Sequence, residues 1–315
     1  MIPALFLAVP LAALFSPGQT VSPPPPTDPQ QRAAEELEFG TSENRMTVPV
    51  TIGAAGPFRF IVDTGSERTV VSRELGATLR LAPGRSVKVT AMAGPMWTAT
   101  VLVPQIVVGL PRAGAMLVAN RIEAPALQRR NLGADGLVGI DTLQGKAVTI
   151  DFARQAMTVS PASRRTRAER FGPNDIVIRA RSLFGQLVVT DATYEGRRIR
   201  VVIDTGSVVS MGNVALQRLV ARTSSQMTGV RLLSVTGAIL NAQYGVVTGV
   251  RIGEIGLANL PIAFSDAAPF ERFGLGKRPA LLLGMDALRL FGQVRIDFAN
   301  RELHLARPKP GPAPL

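Results

Sequence analysis

The stretch Phe60-Ile61-Val62-Asp63-Thr64-Gly65-Ser66 returns in the second half of the chain as Val201-Val202-Ile203-Asp204-Thr205-Gly206-Ser207. A single Asp-Thr-Gly in a chain of this length is a weak signal. Two copies, each preceded by an aliphatic run and followed by the same serine, are not explained by composition. An aliphatic run feeding a small polar loop reads as a β-strand that ends in a tight turn. Two such loops, one per half, point to two carboxylates brought face to face.

Working outward from the two loops, the same order of elements is found twice. Thr47 to Ile52 reads as a strand, Gly53 to Gly56 as a turn, and Phe58 to Val62 as the strand into Asp63. In the second half the strand is Gln186 to Thr193, the turn Tyr194 to Gly196, and the following strand Arg197 to Ile203. Downstream, Leu137-Val138-Gly139-Ile140-Asp141 matches Leu282-Leu283-Gly284-Met285-Asp286. Further on, Val148-Thr149-Ile150-Asp151-Phe152 matches Val294-Arg295-Ile296-Asp297-Phe298. The repeat therefore covers residues 45–160 and 184–306, most of the foldable chain. A tandem duplicate can place equivalent residues against each other across a pseudo-two-fold axis, as a symmetric dimer does with two chains. The expected fold class is all-β with short helices, in two lobes.

Composition narrows the chemistry. The 315 residues are 46% hydrophobic, enough for real cores, and 30 glycines suit many short strands joined by turns. There is no cysteine and one histidine, His304. Thiol catalysis, disulfides and cysteine metal sites are thereby excluded, and histidine-centred triads have little to build on. No cofactor and no metal are expected. The net charge of +12 is compatible with acidic partners. Its arginines and lysines are dispersed, however, apart from Arg164, Arg165, Arg167 and Arg170. No nucleic-acid motif accompanies them, so nucleic acid is not an expected partner.

Residues 2–15 are apolar apart from two prolines. That is the length of a signal-peptide core and is short for a bilayer span, although no lysine or arginine precedes it. Residues 1–22 are read as a signal peptide, which implies an exported, periplasmic or secreted protein without a stable membrane span. Residues 23–36, containing Pro23 to Pro26, are a Pro-rich linker. The first lobe spans residues 37–160, a basic connector 161–174, the second lobe 175–308, and a tail 309–315. With both lobes in one chain, a monomer is expected.

The duplicated loop, together with the duplicated aliphatic-aliphatic-Gly segment, resembles the pepsin/retropepsin-like aspartic proteases. The lobe length and the absence of cysteine look most like bacterial retropepsin-type domains. The resemblance implies a two-lobed acid-protease β-barrel fold with pseudo-two-fold symmetry. It also implies an aspartic endopeptidase acting on extended polypeptide. Asp63 and Asp204 are the expected catalytic pair. Two carboxylates held close together cannot both ionise cheaply, so they share a proton, and one can take a proton from water while the other donates one.

Supporting roles follow for the neighbours. Gly65 and Gly206 allow close backbone approach. Thr64 and Thr205, by the resemblance, bond across the lobe interface. Ser66 and Ser207 are expected to donate to the outer carboxylate oxygens. Asp141 and Asp286 recur as symmetrically, but each stands before a short helical pattern and is read as an N-cap. Asp151 and Asp297 are read as turn-shaping residues.

In the family, the substrate is covered by a flap. Val89 to Thr100, with a tip at Ala93-Gly94-Pro95, is the candidate. Trp97 stands in for the tyrosine of pepsin-like flaps or belongs to the lobe core. Leu233 to Tyr244, with Gly237 at its tip, is a second flap or a shortened hairpin. The substrate-contact candidates are thus Gly94, Trp97 and Gly237. The alternative function is a non-catalytic peptide- or partner-binding protein on the same fold.

Overall fold

The computed structural model describes residues 45, 47–109, 117–152, 154, 156–161, 175–183, 185–222 and 227–306. The signal peptide, the Pro-rich linker, the interior of the connector and the tail lie outside the described residues.

The first lobe starts from the hairpin that the sequence pattern marks. Thr47–Ile52 pairs with Ala55–Val62 antiparallel, with Thr47 opposite Ile61 and Val48 opposite Phe60. In the first strand burial alternates, and Val48, Val50 and Ile52 point inward. In the second the alternation stops, and Phe60, Ile61 and Val62 are all buried. The reason is that this strand is covered on both faces. Phe60 and Val62 join the barrel interior, and Ile61 joins a separate cluster with Leu132 and Leu137. A run without alternation is what a doubly covered strand requires.

Gly136–Val138 runs parallel to the end of this strand, placing Val62 beside Val138. The order continues through Val70–Ser72, Leu117–Leu127 and Thr100–Val108. Thr100–Val108 then pairs back with Thr47–Ile52, with Val50 opposite Val108. A six-stranded barrel is closed in this way.

The second lobe repeats the path. In Gln186–Tyr194 and Arg197–Ile203, Val188 lies opposite Val202 and Val189 opposite Val201. Ala280–Leu283 runs parallel beside Arg197–Ile203. Val201 and Ile203 enter the main core while Val202 enters a second cluster, the same split as Phe60, Val62 and Ile61. One difference breaks the repeat. The strand Ile239–Val247 ends before Gly249, whose φ is +96°. The chain then resumes as Val250–Ile252, which closes onto Gln186–Tyr194.

A shared sheet joins the lobes. Lys146–Asp151 pairs antiparallel with Gln293–Asp297, with Val148 opposite Ile296, Thr149 opposite Arg295 and Ile150 opposite Val294. These are the two copies of one repeat segment facing each other, so the pseudo-two-fold axis passes between Thr149 and Arg295. Val148, Ile150, Val294 and Ile296 are fully buried in a core cluster that continues into both lobes. The two lobes are one packed body rather than beads on a linker.

Candidate functional site

The two Asp-Thr-Gly-Ser loops meet at the base of the cleft, and each is built against the other. The Thr64 hydroxyl donates to the Ile203 carbonyl at 2.8 Å, and the Thr205 hydroxyl donates to the Val62 carbonyl at 2.6 Å. Each hydroxyl also accepts the other threonine's backbone N–H, both at 3.1 Å. Both threonines are buried. In a dry environment such mutual satisfaction is required, because an unpaired polar group there is costly. The loop that follows each hydrophobic strand is thus bonded to the end of the opposite strand.

The glycines make the next contact. A methyl group on Gly65 would meet the Asp204 carboxylate at 2.7 Å, and one on Gly206 would overlap the Asp63 carboxylate. Each glycine backbone lies directly against the opposite aspartate, and only the absence of a side chain allows this. Each carboxylate is also held by its own loop. Asp63 Oδ1 accepts from the Gly65 N–H at 2.9 Å. Asp204 Oδ1 accepts from the N–H groups of Gly206 at 3.0 Å and Ser207 at 3.1 Å.

The serine expectation is corrected. The Ser66 hydroxyl donates to the Arg68 carbonyl and that of Ser207 to the Val209 carbonyl, both at 2.8 Å. A serine hydroxyl readily bonds a backbone group two residues on, and here that local bond turns it away from the carboxylate. The serines reach the carboxylates through their backbone N–H groups instead, Ser207 at Asp204 and Ser66 at Asp63.

Burial raises the proton affinity of both aspartates. For Asp204, burial and then the neighbouring Asp63 charge push the carboxyl up to about 7, against the pull of its backbone bonds and of Arg45. For Asp63, burial also pushes upward, while the Gly65 N–H, Arg45 and the Ser66 N–H oppose it. Burial thus favours the protonated form of both carboxyls.

The N-cap expectation for Asp141 and Asp286 is also corrected. The helices Ile140–Leu143 and Met285–Leu288 are capped by Gly139 and Gly284, and the aspartates sit inside them. Their carboxylates reach back to the loops instead. Asp141 accepts from the Thr69 N–H at 2.8 Å and the Thr69 hydroxyl at 2.7 Å. Asp286 accepts from the Ser210 N–H at 2.9 Å and the Ser210 hydroxyl at 2.6 Å. The same hydroxyls accept from the Gly139 and Gly284 N–H groups. A side chain at Gly139 or Gly284 would collide with backbone of Arg68 or Val209. The aliphatic-aliphatic-Gly segment is thus pinned beneath each loop. Asp151 and Asp297 do shape turns, accepting from the N–H groups of Arg154 and Asn300.

Above the pair lies a cavity of about 710 Å³. Its roof includes the hairpin of Val87–Ala91 and Gly94–Thr98, which turns at Met92-Ala93. Gly94 holds the turn with φ +131° and open space around it. The core alternative for Trp97 is corrected. The residue is 67% exposed, so it is not core, and the lining residues on this hairpin are Lys88 to Met92 and Pro95. It shares a face of the hairpin with Pro95 and its cross-strand partner Lys88, both of which line the cavity.

The second hairpin, Thr228–Leu233 and Ile239–Val247, also reaches the cleft. Leu233 to Thr236 line it, and Gly237 lies against the Asn131 side chain. Each hairpin crosses to the other lobe. Met92 packs on the second-lobe cluster and its carbonyl accepts from the Ala268 N–H at 3.1 Å. Val235 packs on the first-lobe cluster. Arg272, on the second-lobe helix Ala268–Arg272, pairs with Glu67 of the first loop at 2.8 Å.

Sequence reasoning missed Arg45. It lines the cavity and donates to the Gly206 carbonyl at 3.4 Å and the Leu132 carbonyl at 2.9 Å. One signal was available: Arg45 stands as far before Asp63 as Gln186 stands before Asp204. Among the described residues no cluster of three or more acidic or histidine side chains could hold a metal, and no helix is long and apolar enough to cross a membrane.

A sequence model of a protein family described as aspartyl protease matches this chain twice, over residues 48–142 and 190–287. The two matches fall one on each lobe and together cover more than half of the chain. No curated protein matches it.

Proposed function

Because the chain belongs to the aspartyl protease family, we propose that it is a peptide hydrolase in which Asp63 and Asp204 act as one singly protonated pair on a bound water. The observation that carries this reading is the crossed floor of the cleft, where each loop's glycine backbone abuts the other loop's carboxylate. That arrangement holds two acidic groups in one small space, where like charges favour sharing a single proton. The ionised carboxylate takes a proton from water as it attacks the peptide carbonyl. The protonated one gives its proton to the developing oxyanion and so restores the complementary state for leaving-group protonation.

The cleft supports an extended polypeptide as substrate. Hairpins from both lobes stand over the pair, and strand edges of this kind hold a peptide by main-chain hydrogen bonds with pockets for alternate side chains. With Asp204 pushed up to about 7, hydrolysis is expected at acid to neutral pH and declines as the shared proton is lost above that.

The test is a peptide-library digest between about pH 3 and 8, with the parent and with Asp63→Asn and Asp204→Asn. Each single variant should lose at least about a thousandfold in kcat/KM, because a pair that acts as a unit fails as a unit. Cleavage that survives either change overturns the mechanism. An inert parent that still binds peptides would instead support a binding protein on this fold.

A further inference from the structure

The two lobes hold equivalent positions beside the aspartates and fill them differently. The hairpin registers make the equivalence structural: Thr47 lies opposite Ile61 as Val188 lies opposite Val202. Two residues before these strand positions stand Arg45 and Gln186. Arg45 Nη1 donates to the Gly206 carbonyl at 3.4 Å. Gln186 Nε2 donates to the Gly65 carbonyl at 3.3 Å. Each side chain crosses to the opposite loop and supports the glycine that lies against a carboxylate. The hydrogen-bonding role is therefore duplicated, whereas the charge is present on one side only.

We propose that Arg45 is a positioning residue for the aspartate pair: its fixed cation, unmatched at Gln186, holds the pair singly ionised over a lower pH range than the crossed floor alone would give. The proposal rests on the pair being the hydrolytic site.

Three observations support it. First, burial lowers the proton affinity of Arg45 while Asp63 and Asp204 raise it, and a guanidinium starts so high that it stays charged across the working range. Second, Arg45 is held in place from two directions, by Gly206 of one lobe and Leu132 of the other, and its Nε is buried without a hydrogen bond. Third, it is the cation that favours the ionised form of both carboxylates. The other charged groups lining the cleft are Glu67, Arg68, Lys88, Arg130, Glu271 and Arg272. Glu67 and Arg272 offset each other. None of the six is a cause of the shift at either aspartate.

The experiment compares pH profiles of kcat/KM for the parent, Arg45→Gln, Arg45→Met, Arg45→Lys and Gln186→Arg. The two neutral variants should move both limbs of the profile to higher pH, by roughly one unit, the low end of what a nearby opposite charge does to a carboxylate. Arg45→Lys keeps the charge and should keep the limbs in place even if the rate falls. Gln186→Arg adds a second cation and should move them down.

A lower rate with unmoved limbs in both neutral variants assigns Arg45 a merely structural role and overturns the proposal. The same holds if the lysine variant shifts as far as the neutral ones. A readout that needs no turnover separates this from the functional reading. The aspartate carboxyls can be titrated by 13C NMR and assigned with Asp63→Asn and Asp204→Asn. If the parent cleaves nothing but its carboxyls titrate higher in Arg45→Gln or Arg45→Met, the protease reading falls and the electrostatic one stands. If the carboxyls do not move, the electrostatic one falls.

Discussion

In the first lobe the hairpin Val87–Ala91/Gly94–Thr98 is a two-stranded sheet of its own, whereas the second-lobe hairpin Thr228–Leu233/Ile239–Val247 extends the edge of the fourteen-stranded sheet. At the floor of the cleft the lobes match closely, apart from Arg45 and Gln186. Thr64 and Thr205, Gly65 and Gly206, Asp141 and Asp286 make matching bonds. The difference follows from the kind of contact. The floor is made of backbone approach and paired buried hydroxyls, where a change on one side strands a partner on the other. The roof is made of side chains over a cavity, where residues can drift without leaving anything unsatisfied.

The comparison is broken most severely at the glycines. Gly206→Ala drives a methyl group into the Asp63 carboxylate and Gly65→Ala drives one into that of Asp204. Each should cost roughly a hundredfold in kcat/KM through displaced geometry, with Gly206→Ala the worse because its approach is closer. Full activity in either would show that the floor is not the rigid half of the site.

The aspartates should also differ from their surroundings in pH-dependent stability. The folded-state value of Asp204, about 7, is higher than that of an ordinary carboxyl. The folded chain therefore keeps a proton that the unfolded chain releases. This contribution is full below the ordinary carboxyl range and is lost as pH rises to about 7. Asp204→Asn should remove that loss and melt higher than the parent above pH 7, by roughly 5 °C. A parent whose Tm does not fall across this window would contradict the burial argument.

The threonines test whether the lobes contribute equally. Thr64→Val and Thr205→Val should each cost about 1–3 kcal/mol in chemical denaturation, the penalty of leaving buried partners unpaired. The double variant should cost less than the sum, because one network is lost either way. The smallest effect is expected at the Glu67–Arg272 pair. It is largely exposed, so Arg272→Ala should change stability by at most about 1 kcal/mol and is best followed as a Tm shift.

Much of this was legible because duplication doubles every signal. The strand into each loop, the aliphatic-aliphatic-Gly segment and the closing strands could be aligned on each other within one chain. What escaped the reading escaped for local reasons. The serine hydroxyls found a carbonyl two residues away, a choice set by loop conformation rather than residue type. Asp141 and Asp286 looked like caps because a helix follows, but Gly139 and Gly284 take the capping position and release the carboxylates toward Thr69 and Ser210. Trp97 drew attention by its size, yet strand alternation leaves it exposed.

The sequence by itself determined the two-lobed, all-β fold and the likeness of the lobes, because period-two patterns and turn residues act locally and were written twice. Only the tertiary structure decided what stands beside the aspartates. Arg45 and Gln186 carry no motif. Their place against the opposite loop's glycine arises when the pseudo-two-fold axis brings together segments separated by 161 and 121 positions in the chain. Charge acts across space regardless of chain distance, so this asymmetry became visible only once the two halves were folded against each other.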